Sequence, residues 1–191
     1  MTAPRRLFVA VELPSGVRDG VEGAIAGLRA IEPALAWTAP HGRHITVKFL
    51  GDVAANRVDA VARMIDAVAQ AHRPFAIHLA RLGAFPNFRK ARVVWLGVEH
   101  EPRLELLQHD VELAAAAIGF ELEGRAFRPH VTLARVEPLL DVDRARGLAR
   151  SARKVDFTAS VDVAELTLFE STLAPTGARH GRVHAATLGG R

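Results

Sequence analysis

The chain has 191 residues, 49% of them apolar and 24% charged, the composition of one globular domain or of two small lobes sharing a core rather than of a disordered chain. It contains no Cys and no Tyr, which excludes disulfides, thiolate or tyrosyl nucleophiles and Cys-based zinc sites. The net charge of +4 comes largely from Arg and favours an anionic partner, guanidinium being matched to phosphate; a run such as RARGLARSARK (144–154) serves equally well as a solvated surface.

RLFVAVEL (6–13) reads as a strand that stops at Pro14 and Ser15. Val17, Val21, Ile25 and Leu28 then recur at threes and fours, predicting a helix that runs to Ile31. Pro33 and Pro40 bracket a short segment around Leu35 and Trp37, and HITVKFLG (44–51) is the next strand. Val58, Val61, Ile65 and Val68 mark a second helix, and FAIHLARL (75–82) alternates again. RVVWLGVE (92–99) opens the second half as a strand, followed by a helix carrying Leu104, Leu107, Val111 and Ile118. FELEGRAF (120–127) has an extended pattern, Pro129 introduces HVTLARV (130–136), and a helix is predicted over 141–151. Residues 155–171 and 182–188 complete the chain as strands. The opening MTAPRRLFVAVELP has an apolar run too short for a signal peptide, and no stretch reaches the length of a membrane span. The expected location is cytoplasmic.

The two halves share their order of elements, and Arg6 to Arg92 and His44 to His130 are both separated by 86 positions. Such self-similarity points to an internal duplication, about 5–83 and 91–170, within a single domain spanning 1–191. The predicted fold is α+β and bilobed, with two pseudo-symmetric βαββαβ-like halves whose mainly antiparallel sheets flank a central cleft.

Each half writes His, apolar, Thr, apolar on a strand: His44 with Thr46, and His130 with Thr132. Chance supplies such a doubled pattern on the order of 0.005 times per chain of this composition. Alternation puts His44 and Thr46 on one face, with Ile45, Val47 and Phe49 on the packed face, and places Lys48 beside His44, where it could attract phosphate. Val131 and Leu133 lie behind His130 and Thr132 in the same way. If a pseudo-twofold axis sets the two strands face to face, two imidazoles and two hydroxyls converge. One neutral and one protonated imidazole make a base and an acid at neutral pH, and Thr hydroxyls can donate to phosphoryl oxygens as charge gathers there. A strained cyclic phosphodiester suits this set, because its ring opens without a metal.

HITVKFLG and PHVTLAR resemble the two signature motifs of the 2H phosphoesterase superfamily, and RLFVAVELP, GAFPN (83–87), RVVWLGV and LTLFES (166–171) extend the resemblance over most of the chain. Within the superfamily it is most similar to bacterial and archaeal RNA 2′,3′-cyclic phosphodiesterases, also described as 2′-5′ RNA ligases. The resemblance implies hydrolysis of a 2′,3′-cyclic phosphate to a 2′-phosphate, with His44 as proton donor, His130 as proton acceptor, Thr46 and Thr132 on the phosphate, and possible reversal with a 5′-hydroxyl to join RNA 2′-5′. It implies RNA ends or nucleotides as partners and neither metal nor organic cofactor; nothing requires more than a monomer. Arg135 matches the Arg that follows the second motif, but strict alternation turns it away from His130 unless a bulge intervenes.

Other side chains stay open on sequence grounds. Arg6 and Arg92 are either phosphate contacts or strand-start surface residues. Phe8, Trp37, Trp95 and Phe127 are either core or base-stacking platforms. HGRH (41–44) and HGRVH (180–184) tempt a zinc reading, against which Gly181 and the missing Glu of a metalloprotease motif both argue. The competing functions are another activity of the same superfamily, on ADP-ribose cyclic phosphate or 2′-5′ oligonucleotides, a non-catalytic RNA-end binding module, and a metal-dependent hydrolase.

Overall fold

Apolar side chains at helical spacing on one kind of segment, and at alternating positions on the other, leave one physical solution: helices laid on a sheet. The computed structural model describes residues 3–174 and 177–190. Its strands are β1 (Arg5–Glu12), β2 (Ala36–Trp37), β3 (His44–Val53), β4 (Phe75–Phe85), β5 (Val93–Val98), β6 (His130–Arg135), β7 (Thr158–Val163), β8 (Glu165–Ala174) and β9 (Gly177–Thr187). The helices are α1 (Ser15–Ile31), α2 (Val58–Ala71), α3 (Pro102–Ala117) and α4 (Val142–Ala152). The helical periodicities identify the buried faces: Val21, Ile25 and Leu28 of α1, Val61, Ile65 and Val68 of α2, and Leu104, Leu107 and Val111 of α3 enter one core with Val9, Ile45, Val94 and Val131 of the strands. Phe8, Ala10 and Phe169 form a separate small cluster; on β1 alternation puts Phe8 and Ala10 on the opposite face from Val9. Helices therefore cover one face of the sheet, and the other is left for a cleft.

All the pairings are antiparallel, and they join into one sheet of order β7-β4-β5-β6-β3-β1-β8-β9, with β2 added beside β6. The mainly antiparallel α+β architecture is as expected. The two expected sheets are continuous, however, through a single bridge, Ile45 opposite Val131. From that bridge the order runs β3-β1-β8-β9 one way and β6-β5-β4-β7 the other. Each lobe thus borrows a strand, since β4 from the first half pairs with β5 and β8 from the second pairs with β1.

Residues 120–127 form a loop and not the expected extended segment. β6 already has β5 on one edge and β3 on the other, so no free edge remains for that segment to pair with. Its backbone is held by side chains instead: Lys48 Nζ donates to the Glu121 carbonyl at 2.9 Å, and the Glu123 amide donates to Glu112 at 3.2 Å.

Candidate active site

β3 and β6 meet where both histidine motifs begin. With Ile45 opposite Val131, continuing the antiparallel register by one residue each way sets His44 across from Thr132 and Thr46 across from His130. Cross-strand neighbours of this kind interact directly, and the diagonal positions lie about 7–8 Å apart. All four residues are half-buried, while the residues between them, Ile45 and Val131, are fully buried against the helices. Two imidazoles and two hydroxyls therefore share the face of the sheet that the helices leave open.

The two rings are held alike. His44 Nδ1 lies 2.9 Å from the Gly42 carbonyl, and His130 Nδ1 lies 2.8 Å from the Arg128 carbonyl. A carbonyl can only accept, so in each ring Nδ1 carries the proton and the neutral ring presents the lone pair of Nε2. Their surroundings differ. His44 lies against Phe8 (4.8 Å between ring centroids) and Phe169 (6.0 Å), with the edge of His180 at 5.1 Å. His130 meets Phe85 edge-on at 5.0 Å. Burial, with a smaller contribution from the neighbouring His180 and His130, pushes the His44 imidazole down to about 4. Burial also lowers His130, against the raising effect of the Arg128 carbonyl. The free site thus holds two neutral imidazoles, and an arriving anion raises the proton affinity of both.

Bulges decide which other side chains reach this face. On β6, Thr132 pairs with Trp95 and Ala134 with Val94, so Leu133 is an extra residue. Beyond it the alternation inverts: Val131, Leu133, Ala134 and Val136 are buried, and Arg135 is exposed. Arg135 consequently shares the side of His130 and Thr132. The same device acts on β3, where Thr46 pairs with Ala10 and Lys48 with Val9, leaving Val47 extra. Two expectations from strict alternation fail there. Lys48 turns inward, only 4% exposed, and pairs with Glu112 at 2.6 Å; Phe49 turns out, 66% exposed, on the side of His44.

The Arg6 and Arg92 equivalence also fails. His44 lies opposite Glu12 and His130 opposite Gly97, a structural offset of 85 and not 86. Arg6 then falls on the side of Phe8 and Ala10, whereas Arg92 falls on that of Val94 and Leu96.

Among the aromatic candidates, Trp95 and Phe127 line a cavity of about 400 Å³ beside His130. Phe8 lies beneath His44. Trp37 packs against the helix-side core and donates through Nε1 to the Glu32 carbonyl at 2.9 Å. The zinc-like runs come apart: a bulge at Val183 separates His180, beside His44, from His184, which meets Asp66 of α2 at 2.7 Å. Among the described residues, no group of three or more His, Asp or Glu side chains could hold a metal ion.

Sequence reasoning missed Arg43. Its guanidinium is buried, donates to the Arg18 carbonyl at 3.1 Å and the Thr38 carbonyl at 3.3 Å, and pairs with Glu22. It thereby fastens the turn carrying the Gly42 carbonyl to α1. The available signal was parity, because a residue next to a cleft-facing histidine must face inward.

A doubled histidine–threonine strand pair at the centre of an antiparallel sheet defines a class, and the chain belongs to it: it is a member of the 2′-5′ RNA ligase superfamily, whose family model matches residues 17–174. Among curated proteins it is 33% identical over 172 residues to the RNA 2′,3′-cyclic phosphodiesterase of Methanothermobacter thermautotrophicus, covering 90% of this chain and 92% of that one. A crystal structure from Thermus thermophilus superposes with a TM-score of 0.81 at 26% identity, covering 97% of this chain and 99% of the other. LigT of Escherichia coli, solved with 3′-AMP, gives 0.74 at 29% identity, covering 97% and 98%. Among the described residues, no helix is long and apolar enough to cross a membrane.

Proposed function

We propose that the protein hydrolyses RNA 2′,3′-cyclic phosphate ends to 2′-phosphates by acid–base catalysis at His44 and His130, without a metal. The observation that carries this reading is the juxtaposition of the two imidazoles, each presenting Nε2, across the one bridge between β3 and β6. Its substrate class follows the curated relative's name.

In the reaction, water attacks phosphorus and gives its proton to His130 Nε2. The bond from phosphorus to the 3′-oxygen breaks, and that oxygen takes a proton from His44 Nε2. A 2′-phosphomonoester and a free 3′-hydroxyl remain. Thr46, Thr132 and Arg135 hold the non-bridging oxygens, where donors gain most as charge accumulates. The electrostatics support the direction of proton flow: the ring with the lowest proton affinity, His44, makes the strongest acid once the substrate anion has induced its protonation, and the less enclosed His130 is the better base. With a 5′-hydroxyl in place of water as the nucleophile, His130 and His44 keep these roles and the product is a 2′-5′ phosphodiester.

Purified protein incubated with adenosine 2′,3′-cyclic phosphate and a chelator should yield the 2′-phosphate. His44→Ala and His130→Ala should each lower kcat by about 10²–10⁴. Loss of activity in chelator would refute the metal-free claim, and a 3′-phosphate product would refute the assignment of donor and acceptor.

A further inference from the structure

A third imidazole stands against His44. His180, which opens the zinc-like run HGRVH (180–184), comes from β9 at the far end of the sheet. Its ring is edge-on to His44, with centroids 5.1 Å apart and planes at 88°, and edge-on to Phe8 at 5.0 Å and 82°. A Cβ on Gly42 would fall 4.0 Å from His180 Cδ2. The same ring therefore lies against the residue whose carbonyl accepts from His44 Nδ1.

His180 is not a competing acid. Its Nδ1 is buried and has no hydrogen-bond partner among the described residues. A proton there would bury an N–H with nothing to accept it, so the ring stays neutral with its proton on Nε2. Burial and the nearby His41 also hold its proton affinity below the ordinary value. The ring is a neutral wedge beside one that must take and give a proton.

The His44 ring needs such a wedge. The Gly42 carbonyl fixes its tautomer from two residues away, but one hydrogen bond leaves a ring free to pivot about it. Phe8 and Phe169 lie along its faces, at 34° and 28° to its plane, and His180 meets it at a right angle. Contacts in two perpendicular directions prevent both tilting and swinging.

We propose that His180 is a positioning residue for the proton donor: it holds the His44 ring where Nε2 meets the leaving 3′-oxygen, and it takes no part on the attacking side. The inference rests on the proton roles proposed above. Its consequence is confined to the step that uses the His44 proton. Sulfur in place of the bridging 3′-oxygen removes that step, because a thiolate is a far weaker base than an alkoxide and departs unprotonated. Water then bonds to phosphorus, its proton passes to His130, and the phosphorus–sulfur bond breaks to leave a 2′-phosphate and a 3′-thiolate.

The test compares adenosine 2′,3′-cyclic phosphate with its 3′-bridging sulfur analogue, uncatalysed hydrolysis being subtracted. On the oxygen substrate, His180→Ala should lower kcat about 10- to 100-fold with KM little changed, the scale on which a catalytic group misplaced by about 1 Å loses its effect. His180→Asn, which keeps a polar side chain and removes the ring edge, should do the same. His180→Phe, which keeps the edge, should restore most of the rate; a His180→Phe no better than His180→Ala would refute the edge contact as the means. On the sulfur substrate His44→Ala, His180→Ala and His180→Asn should all approach the wild-type rate, while His130→Ala stays impaired. Sulfur that restores His44→Ala but not the His180 variants would overturn this proposal alone, since His180 would then act on the substrate or on the fold. So would His180 variants with wild-type kcat on the oxygen substrate. Sulfur that fails to restore His44→Ala would overturn the donor assignment and this proposal together.

Discussion

Acidification should destabilise the protein through His44, by an amount readable from its surroundings. Packed against Phe8 and Phe169 and beside His180, this imidazole has its proton affinity lowered from 6.5 to about 4. In the unfolded chain it titrates near the ordinary value, so between about pH 6.5 and 4 the unfolded state binds the extra proton. Stability then falls as pH drops through that window and is fully restored above it. At about 1.4 kcal/mol per pH unit, the gap from 6.5 to about 4 is worth roughly 3 kcal/mol. His130 and His180 are lowered as well and add to the total slope, so the informative quantity is a difference. Urea unfolding of the wild type and of His44→Asn, run from pH 7.5 to 4, should show the wild-type advantage shrinking by about 3 kcal/mol across the window. Imidazole NMR of the free protein should place the His44 titration near 4, and inorganic phosphate should move it upward. A stability difference that stays flat with pH, or a His44 that titrates between 6 and 7 in the free protein, would refute the account of its burial.

The buried Lys48–Glu112 pair also clasps the loop that delivers Phe127 and Arg128 to the cavity. Lys48→Met leaves a buried carboxylate unpaired and should cost about 3–5 kcal/mol in urea unfolding, whereas the double variant Lys48→Met/Glu112→Leu should recover most of that loss. At Gly83, substitution by Ala puts a methyl group 2.2 Å from the indole of Trp95. It should cost about 1–3 kcal/mol and shift the Trp95 fluorescence; a variant with unchanged stability and emission would refute the close packing.

The alternation of RLFVAVEL, the three- and four-residue spacing of the helices and the repeated His-x-Thr are local patterns, and side-chain periodicity translates them directly into strands, buried faces and a paired site. That much was legible without coordinates. It covers the four helices, β1, β3 to β6, β9, and the placing of each histidine on the same face as its threonine; the run read as extended over 155–171 instead breaks at Ala164 into β7 beside β4 and β8 beside β1. A bulge at Val47 or Leu133 has no such mark, because it arises from how a strand twists against its partner. One extra residue inverts the positions beyond it until a second bulge restores the alternation, as the one at Leu50 does on β3. Lys48 therefore went inward, Phe49 outward, and Arg135 to the side of the histidines, against what alternation alone dictates. The exchange of β4 and β8 between lobes, the loop at 120–127 left without a strand edge, and the indole laid over Gly83 likewise depend on neighbours far away in the chain. The amino-acid order determined which chemical groups the site could contain; only long-range pairing decided which of them stand together, since register is a property of two strands and is written in neither alone.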